Sequence, residues 1–417
     1  MNVTITPGPL LGTLTPPPSK SQAHRALLAA ALAGGVSTIS NVDLSQDIEA
    51  TLGCLSALGA RMELLGQGRV EVHGLGNSIV QAGPAPILDC GESGSTLRFL
   101  IPVALLVGGA AQFTGRGRLM ERPLTPYENL FREKGISWKL EDGMLSVDGG
   151  RGYDALALEP GEYALPGDVS SQFFTGLLYA LPLLEGSSWL RCTTPLESRG
   201  YVELTLDVLE RFGIRVEQRG GDFYIPGGQR YQSGDFVVEA DWSNAAFWYA
   251  ANFLGGQVAI QGMNVESVQG DRCIALDYWP LAKPGESEVD LSQCPDLAPP
   301  LALMAAVRAG RTRLKNAGRL RMKESDRLDT IAKTLQALGA DVTQGPDFLD
   351  IQGRARLTGG TVDACNDHRI AMMAAVAAVA CEQPVTILGA ECVKKSYPGF
   401  WQDYEMLGGK VHGLVLR

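Results

Sequence analysis

Residues 334–353 read TLQALGADVTQGPDFLDIQG. The first few residues end an apolar-periodic helix, Gly339 supplies the left-handed stop that helix C-termini favour, and residues 340–353 alternate in two short arms as a hairpin does. The pattern recurs as CLSALGARMELLGQGRVEVHG (54–74), NLFREKGISWKLEDGMLSVDG (129–149), VLERFGIRVEQRGGDFYIPG (208–227) and EMLGGKVHGLVLR (405–417). The terminating glycines are Gly59, Gly135, Gly213, Gly339 and Gly408, and the interval between the third and fourth is close to twice the others. A sixth, weaker copy is therefore expected near 279–285. Each copy also has an earlier helix of small residues, at 21–33, 94–107, 171–183, 243–253, 297–307 and 367–380. The unit is thus β-α-β-α-β-β, and six units divide into two α/β domains of three. Prolines 16–18 and the glycine-rich 227–234 interrupt the pattern and are read as joints. That gives one domain of 19–234 and another of 1–18 plus 235–417, with the first strand joining the C-terminal half.

Composition narrows the function. A chain of 417 residues, 45% hydrophobic, can build two cores. With 36 basic against 46 acidic residues and a net charge of −10, it has no general surface for nucleic acid or anionic membrane, so an anion site must be local. The most hydrophobic stretch, 99–111, is too short to span a bilayer, and MNVTITPGPL lacks the basic-then-apolar pattern of a leader, which makes cytoplasm the expectation. Eight cysteines lie scattered without a C-x-x-C and are read as reduced. The four histidines are far apart and no metal-ligand spacing occurs, so no metal is expected.

Anion chemistry is written at the helix starts. SKSQAHR (19–25), GESGSTLR (91–98), RMKESDR (321–327) and NDHR (366–369) each place cations in or just before the first turn of an apolar helix. The positive end of the dipole repels cations there, unless they and the free amide N–H groups converge on an anionic ligand. Four such starts point to substrates with several phosphates or carboxylates. Ser19 with Gln22 reads as a capping box, and Asp168 to Gln172 offers hydroxyls and an amide that capping alone would explain. Lys323 and Arg327 would repel one another if both were helical, and Glu324 could serve either as a functional carboxylate or as an ordinary partner of Arg327. His368 is as well explained by structure as by ligand contact. There is no G-x-x-x-x-G-K-[ST], G-x-G-x-x-G or G-x-S-x-G.

Nine segments in order, PPSKSQAHRALLAAALAGG, LDCGESGSTLRFL, MERPLTP, GDVSSQFFTGLL, ESRGYVELT, CPDLAPPLALMAA, RMKESDRL, NDHRIAMM and VKKSYPGF, span nearly the whole chain. Together they closely resemble the 5-enolpyruvylshikimate-3-phosphate synthase family. The resemblance implies the enolpyruvyl transferase fold, two inside-out α/β barrel domains with the active site in the cleft between them. It also implies transfer of the enolpyruvyl group of phosphoenolpyruvate to shikimate-3-phosphate by addition and elimination, with no cofactor, inhibition by glyphosate, and a monomer.

By that resemblance, Lys20, Ser21, Arg25, Ser170, Ser171, Gln172, Ser198, Tyr201, Asp296 and Lys323 would bind shikimate-3-phosphate. Lys20, Gly94, Arg122, Gln172, Arg327, His368, Arg369 and Lys395 would bind phosphoenolpyruvate. Glu324 would be the general acid, with Asp296 and Lys20 on the deprotonating side. The chain departs from the family pattern at Arg319-Leu320, where Asn-Trp is common, at Phe99, where proline is frequent, and at Ser93, where alanine is. The related UDP-N-acetylglucosamine enolpyruvyl transferases carry a loop cysteine, and 115–126 here has none. A binding-only protein on the same fold is the alternative of another class.

Overall fold

A computed structural model describes residues 1–76, 84–150, 157–276 and 279–414, the side chains of 279 and 280 excepted. Contacts divide the chain into two compact units, Pro18–Glu239 and Met1–Pro17 with Ala240–Arg417.

The unit Pro18–Glu239 holds three four-stranded sheets of one design. In one, Ile87–Asp89 runs parallel to Ala110–Thr114, which pairs antiparallel with Met144–Asp148, and Ser137–Glu141 closes the edge. A helix, Gly94–Gly108, lies between the first two strands in sequence and a second, Thr125–Glu133, between the second and third, which is the β-α-β-α-β-β unit. Strands Glu162–Leu165, Ser188–Cys192, Glu217–Arg219 and Asp222–Ile225 repeat it. In the third sheet, Val36–Ser40, Arg61–Gly66 and Arg69–His73 are completed by Phe236–Val237, which pairs parallel with Ile39 and Ser40. Because that strand is needed to fill this sheet, the chain leaves the unit only at Glu239, beyond the glycines of 227–234.

Helices occupy the interior and sheets the outside. The helices Lys20–Leu32, Gly94–Gly108 and Ser171–Ala180 are buried on almost every side, as helices apolar all round must be. The strands bury alternate residues, such as Val70 and Val72 or Leu145 and Val147. Packing is tight between the central helices at Gly176, where a Cβ would stand 2.4 Å from the Tyr127 hydroxyl and 2.6 Å from the Arg98 carbonyl.

The other unit repeats the design with two adjustments. Ser287–Asp290, Arg311–Lys315, Leu349–Gln352 and Asp341–Gln344 form a complete sheet. The sheet of Gly360–Asp363, Val385–Leu388 and Lys410–His412 borrows the N-terminal strand Asn2–Thr6 as its third member. Among the described residues the remaining sheet has two strands, Leu11–Leu14 and Gln257–Ile260. The copy expected near 279–285 is thus incomplete: 277 and 278 lie outside the described residues, and Trp279–Ala282 is a 3-10 turn. Only Lys283 to Glu286 separate that turn from the next strand, too short a stretch for a hairpin. The helices Trp242–Phe253, Ala298–Val307 and His368–Ala377 pack on one another at the centre. None of the described helices is long and apolar enough to cross a membrane.

Candidate active site

In Pro18–Glu239 the cations gather at the starts of the three central helices. Ser19 caps the first, accepting from Gln22 N at 3.4 Å, but the Gln22 side chain does not complete the box. Its Oε1 accepts instead from Glu239 N at 2.7 Å, pinning the end of the unit to the helix start. Lys20 pairs with Asp47 at 2.6 Å. Arg25, one turn on, is 2% exposed and donates to Thr205 Oγ1 (2.9 Å), Ser21 O (2.7 Å), Tyr201 O (3.0 Å) and Thr175 Oγ1 (3.5 Å). All four acceptors are neutral. Burial with no carboxylate lowers the Arg25 pKa to about 10, which leaves it charged at neutral pH. Phe99 lies under its guanidinium at 5.0 Å, so the residue that departs from the family pattern gives this cation a ring to rest on.

Ser93, the other departure in this region, caps Gly94–Gly108 and accepts from Thr96 N at 3.2 Å. Gly94 then brings the backbone against Arg122, and a Cβ there would stand 2.7 Å from Arg122 Nη1. Arg122 is 9% exposed, and its buried Nε has no hydrogen-bond partner among the described residues. That is the arrangement an anion would complete. Ser170 caps the third central helix, accepting from Gln172 N at 3.3 Å, with Ser171 buried beside it. Gln172 joins the two starts, accepting from Arg98 Nη1 at 2.7 Å and donating to Ser95 Oγ at 2.9 Å. Ser198, in left-handed conformation at φ +54°, precedes the helix Arg199–Arg211 that carries Tyr201.

The second group lies in the other unit and is built of opposite charges. Asp326 caps Arg327–Ala337, and Lys323 lies outside the helix in extended backbone, so the two cations are not helical neighbours. Arg327 is 1% exposed and its fork is filled by acids: Nε to Asp367 Oδ2 (2.9 Å), Nη2 to Asp367 Oδ1 (3.2 Å), Nη1 to Asp296 Oδ1 (3.1 Å), and Nη2 to Glu324. Burial alone would lower its pKa, but Asp367, Glu324 and Asp296 outweigh it and raise the pKa. Asp296 also accepts from Lys323 Nζ at 3.3 Å and from Arg369 Nη2 at 3.1 Å, so three cations share one carboxylate. His368 is buried at the first turn of its helix, and Lys395 donates to Asn366 O at 2.6 Å on the same loop. Arg319 donates to Ser292 O at 2.7 Å.

The structure thus places Lys20, Ser21, Arg25, Gly94, Arg122, Ser170, Ser171, Gln172, Ser198 and Tyr201 in one unit, and Asp296, Lys323, Glu324, Arg327, His368, Arg369 and Lys395 in the other. Three contributors carry no mark in the sequence as site residues. Asp47 reveals itself only through Lys20, a partner far away in sequence, whereas Arg98, the cation of the second helix start, is tied in through Gln172. Asp367 reads as a cap and is one, yet its two oxygens also hold Arg327. Asp271 is buried in a turn packed against the one that carries Asp296, with no motif to mark it. Strand pairing also gathers Glu63, Glu71 and His73 within 4.8 Å, a possible metal-ligand group with no signature in spacing, in which Arg61 already pairs with Glu63.

The family model of EPSP synthase (3-phosphoshikimate 1-carboxyvinyltransferase) matches residues 5–279 and 280–404. The 3-phosphoshikimate 1-carboxyvinyltransferase of Clostridium kluyveri is 44% identical over 98% of both chains, and that of Clostridium novyi 43% identical over 98% of both. The solved EPSP synthase of Acinetobacter baumannii superposes with a TM-score of 0.80 at 25% identity, covering 99% of this chain and 100% of that one. The overlap is full length and the two-unit α/β architecture is shared, so the chain belongs to the EPSP synthase family.

Proposed function

We infer that this protein transfers the carboxyvinyl group of phosphoenolpyruvate to the 5-hydroxyl of shikimate-3-phosphate, releasing inorganic phosphate, as a step of aromatic amino-acid biosynthesis. The observation that carries the reading is the carboxylate Asp296 held among Lys323, Arg327 and Arg369, in a chain that matches the family over its whole length. A cation cluster alone would bind anions. Acids held within it supply groups that can move protons.

In the addition step the 5-hydroxyl oxygen bonds to C2 of phosphoenolpyruvate while C3 accepts a proton. Glu324 delivers that proton and Asp296, assisted by Lys20, takes the hydroxyl proton. Elimination then breaks the C2–O bond to phosphate and returns a C3 proton to the protein, restoring the double bond in the product. Arg122, Lys20, Gln172, Lys395 and the Gly94 N–H hold the phosphate of phosphoenolpyruvate, while Arg327 and Arg369, with His368, receive its carboxylate. Ser21, Arg25, Ser170, Ser171, Gln172, Ser198, Tyr201 and Lys323 hold shikimate-3-phosphate. Bidentate guanidinium contacts to phosphate and carboxylate offset the repulsion between two highly anionic substrates. Glyphosate competes with phosphoenolpyruvate in the micromolar range or below, and inhibition constants above millimolar would contradict that.

Phosphate release from phosphoenolpyruvate by purified protein tests the reading. Release with shikimate-3-phosphate and not with UDP-N-acetylglucosamine supports it. Release only with the nucleotide sugar would reassign the acceptor, and release with neither would make this a binding protein. The protein is proposed to act as a monomer in the cytoplasm, which sedimentation and fractionation would check.

A further inference from the structure

We propose that Asp271 is a positioning residue for carboxyvinyl transfer: from the protein interior, tied to Ser243, it sets the orientation and charge of the Asp296–Arg369 pair. The inference rests on the role of Asp296 in the proposed function. Asp271 lies in the 3-10 turn Gly270–Ala275, which packs against the turn Pro295–Leu297 that carries Asp296 and against the central helix Trp242–Phe253. It is 3% exposed and hydrogen-bonded to the Ser243 hydroxyl. Four groups act on it from the elements around it: Asp241 and Ser243 at the start of Trp242–Phe253, Asp296 from its turn, and Arg369 from the first turn of His368–Ala377.

A buried carboxyl beside another acid is tolerated where it keeps a proton or where the two acids share a cation. Arg369 is that cation, holding Asp296 through both its carbonyl (3.3 Å) and Oδ2 (3.1 Å) while its charge also favours ionised Asp271. Burial and the neighbouring Asp296 push Asp271 up to about 6, with Ser243 and Arg369 opposing the rise. Above that pH Asp271 is an anion, and its charge raises the proton affinity of Asp296, which strengthens the base that must take the hydroxyl proton. Below it, Asp271 is neutral, Arg369 is given over to Asp296 alone, and the base is weaker. Asp271 never touches substrate and acts only through its two neighbours.

The test is kcat and KM between pH 5 and 9 for the wild type, Asp271→Asn and Ser243→Ala, with the Asp296 carboxyl followed by carbon-13 NMR in the ligand-free proteins. Asp271→Asn is expected to lower kcat about tenfold with KM values changed less than threefold, and to move the Asp296 titration to lower pH. Ser243→Ala removes a donor to the carboxylate and is expected to shift the acidic limb of kcat to higher pH. An unmoved Asp296 titration in Asp271→Asn, or an unmoved limb in Ser243→Ala, overturns the inference. If Asp271→Asn does not fold, the Ser243→Ala profile decides alone. A wild type that releases no phosphate overturns the functional reading instead, while the NMR titration still judges Asp271.

Discussion

Arg25 and Arg327 are equally buried and oppositely held. Around Arg25 every acceptor is a hydroxyl or a carbonyl, and its pKa falls; around Arg327 every acceptor is a carboxylate, and its pKa rises. The same contrast extends to neighbouring site residues. Arg98 is held by Gln172 and a carbonyl, and Arg122 stands against the Gly94 backbone, whereas Asp296 binds Lys323, Arg327 and Arg369 together. A buried cation held by neutral groups keeps its charge for an incoming anion. A cation held by acids must exchange one of them for the ligand, which releases a carboxylate beside the substrate. One group is therefore suited to binding and the other to proton transfer, with Lys20 and its partner Asp47 the exception on the binding side.

The contrast can be broken at its strongest point first. Asp367→Asn keeps a capping oxygen but removes the buried charge that meets two nitrogens of Arg327. It should cost about 3 kcal/mol, because the guanidinium loses the most deeply buried of its three counter-charges; a melting temperature close to the wild type would mean that Asp296 and Glu324 suffice. Gly94→Ala sharpens the binding side. Its methyl would lie 2.7 to 2.9 Å from three atoms of the Arg122 guanidinium, so the KM for phosphoenolpyruvate should rise by more than its kcat falls, about tenfold, with glyphosate inhibition weakened in parallel. Equal loss in kcat and kcat/KM would move Arg122 from binding to chemistry. The smallest effect should come from Thr205→Val. This removes one neutral acceptor of Arg25 and should cost about 1 kcal/mol, visible in denaturant midpoints. A cost matching that of Asp367→Asn would erase the distinction between the two arginines.

The sequence displayed what is local and concealed what is assembled. Helix stops at Gly59, Gly135, Gly213, Gly339 and Gly408 repeat because each unit needs the same left-handed residue before its hairpin, so five repeats were visible by eye. The sixth was expected and is incomplete, since glycine spacing measures chain length and carries no strand pairing. Phe236–Val237 is harder still, because it is short and its partner lies far along the chain. Within the site, cations at helix starts betray themselves by violating the dipole preference. Their acids, Asp47 and Asp367, do not, because an acid near a helix start is ordinary. Asp271 obeys no local rule at all, and only three-dimensional packing places it near Asp296.

Glu324→Gln tests the division between binding and chemistry most directly. Its side chain bonds Arg327 and is offered as the acid that protonates C3. Substrate dissociation constants by calorimetry should stay within a few-fold of the wild type while single-turnover formation of product falls about 10³-fold. Dissociation constants that rise as far as turnover falls would contradict the division, and would make Glu324 a binding residue like those around Arg25.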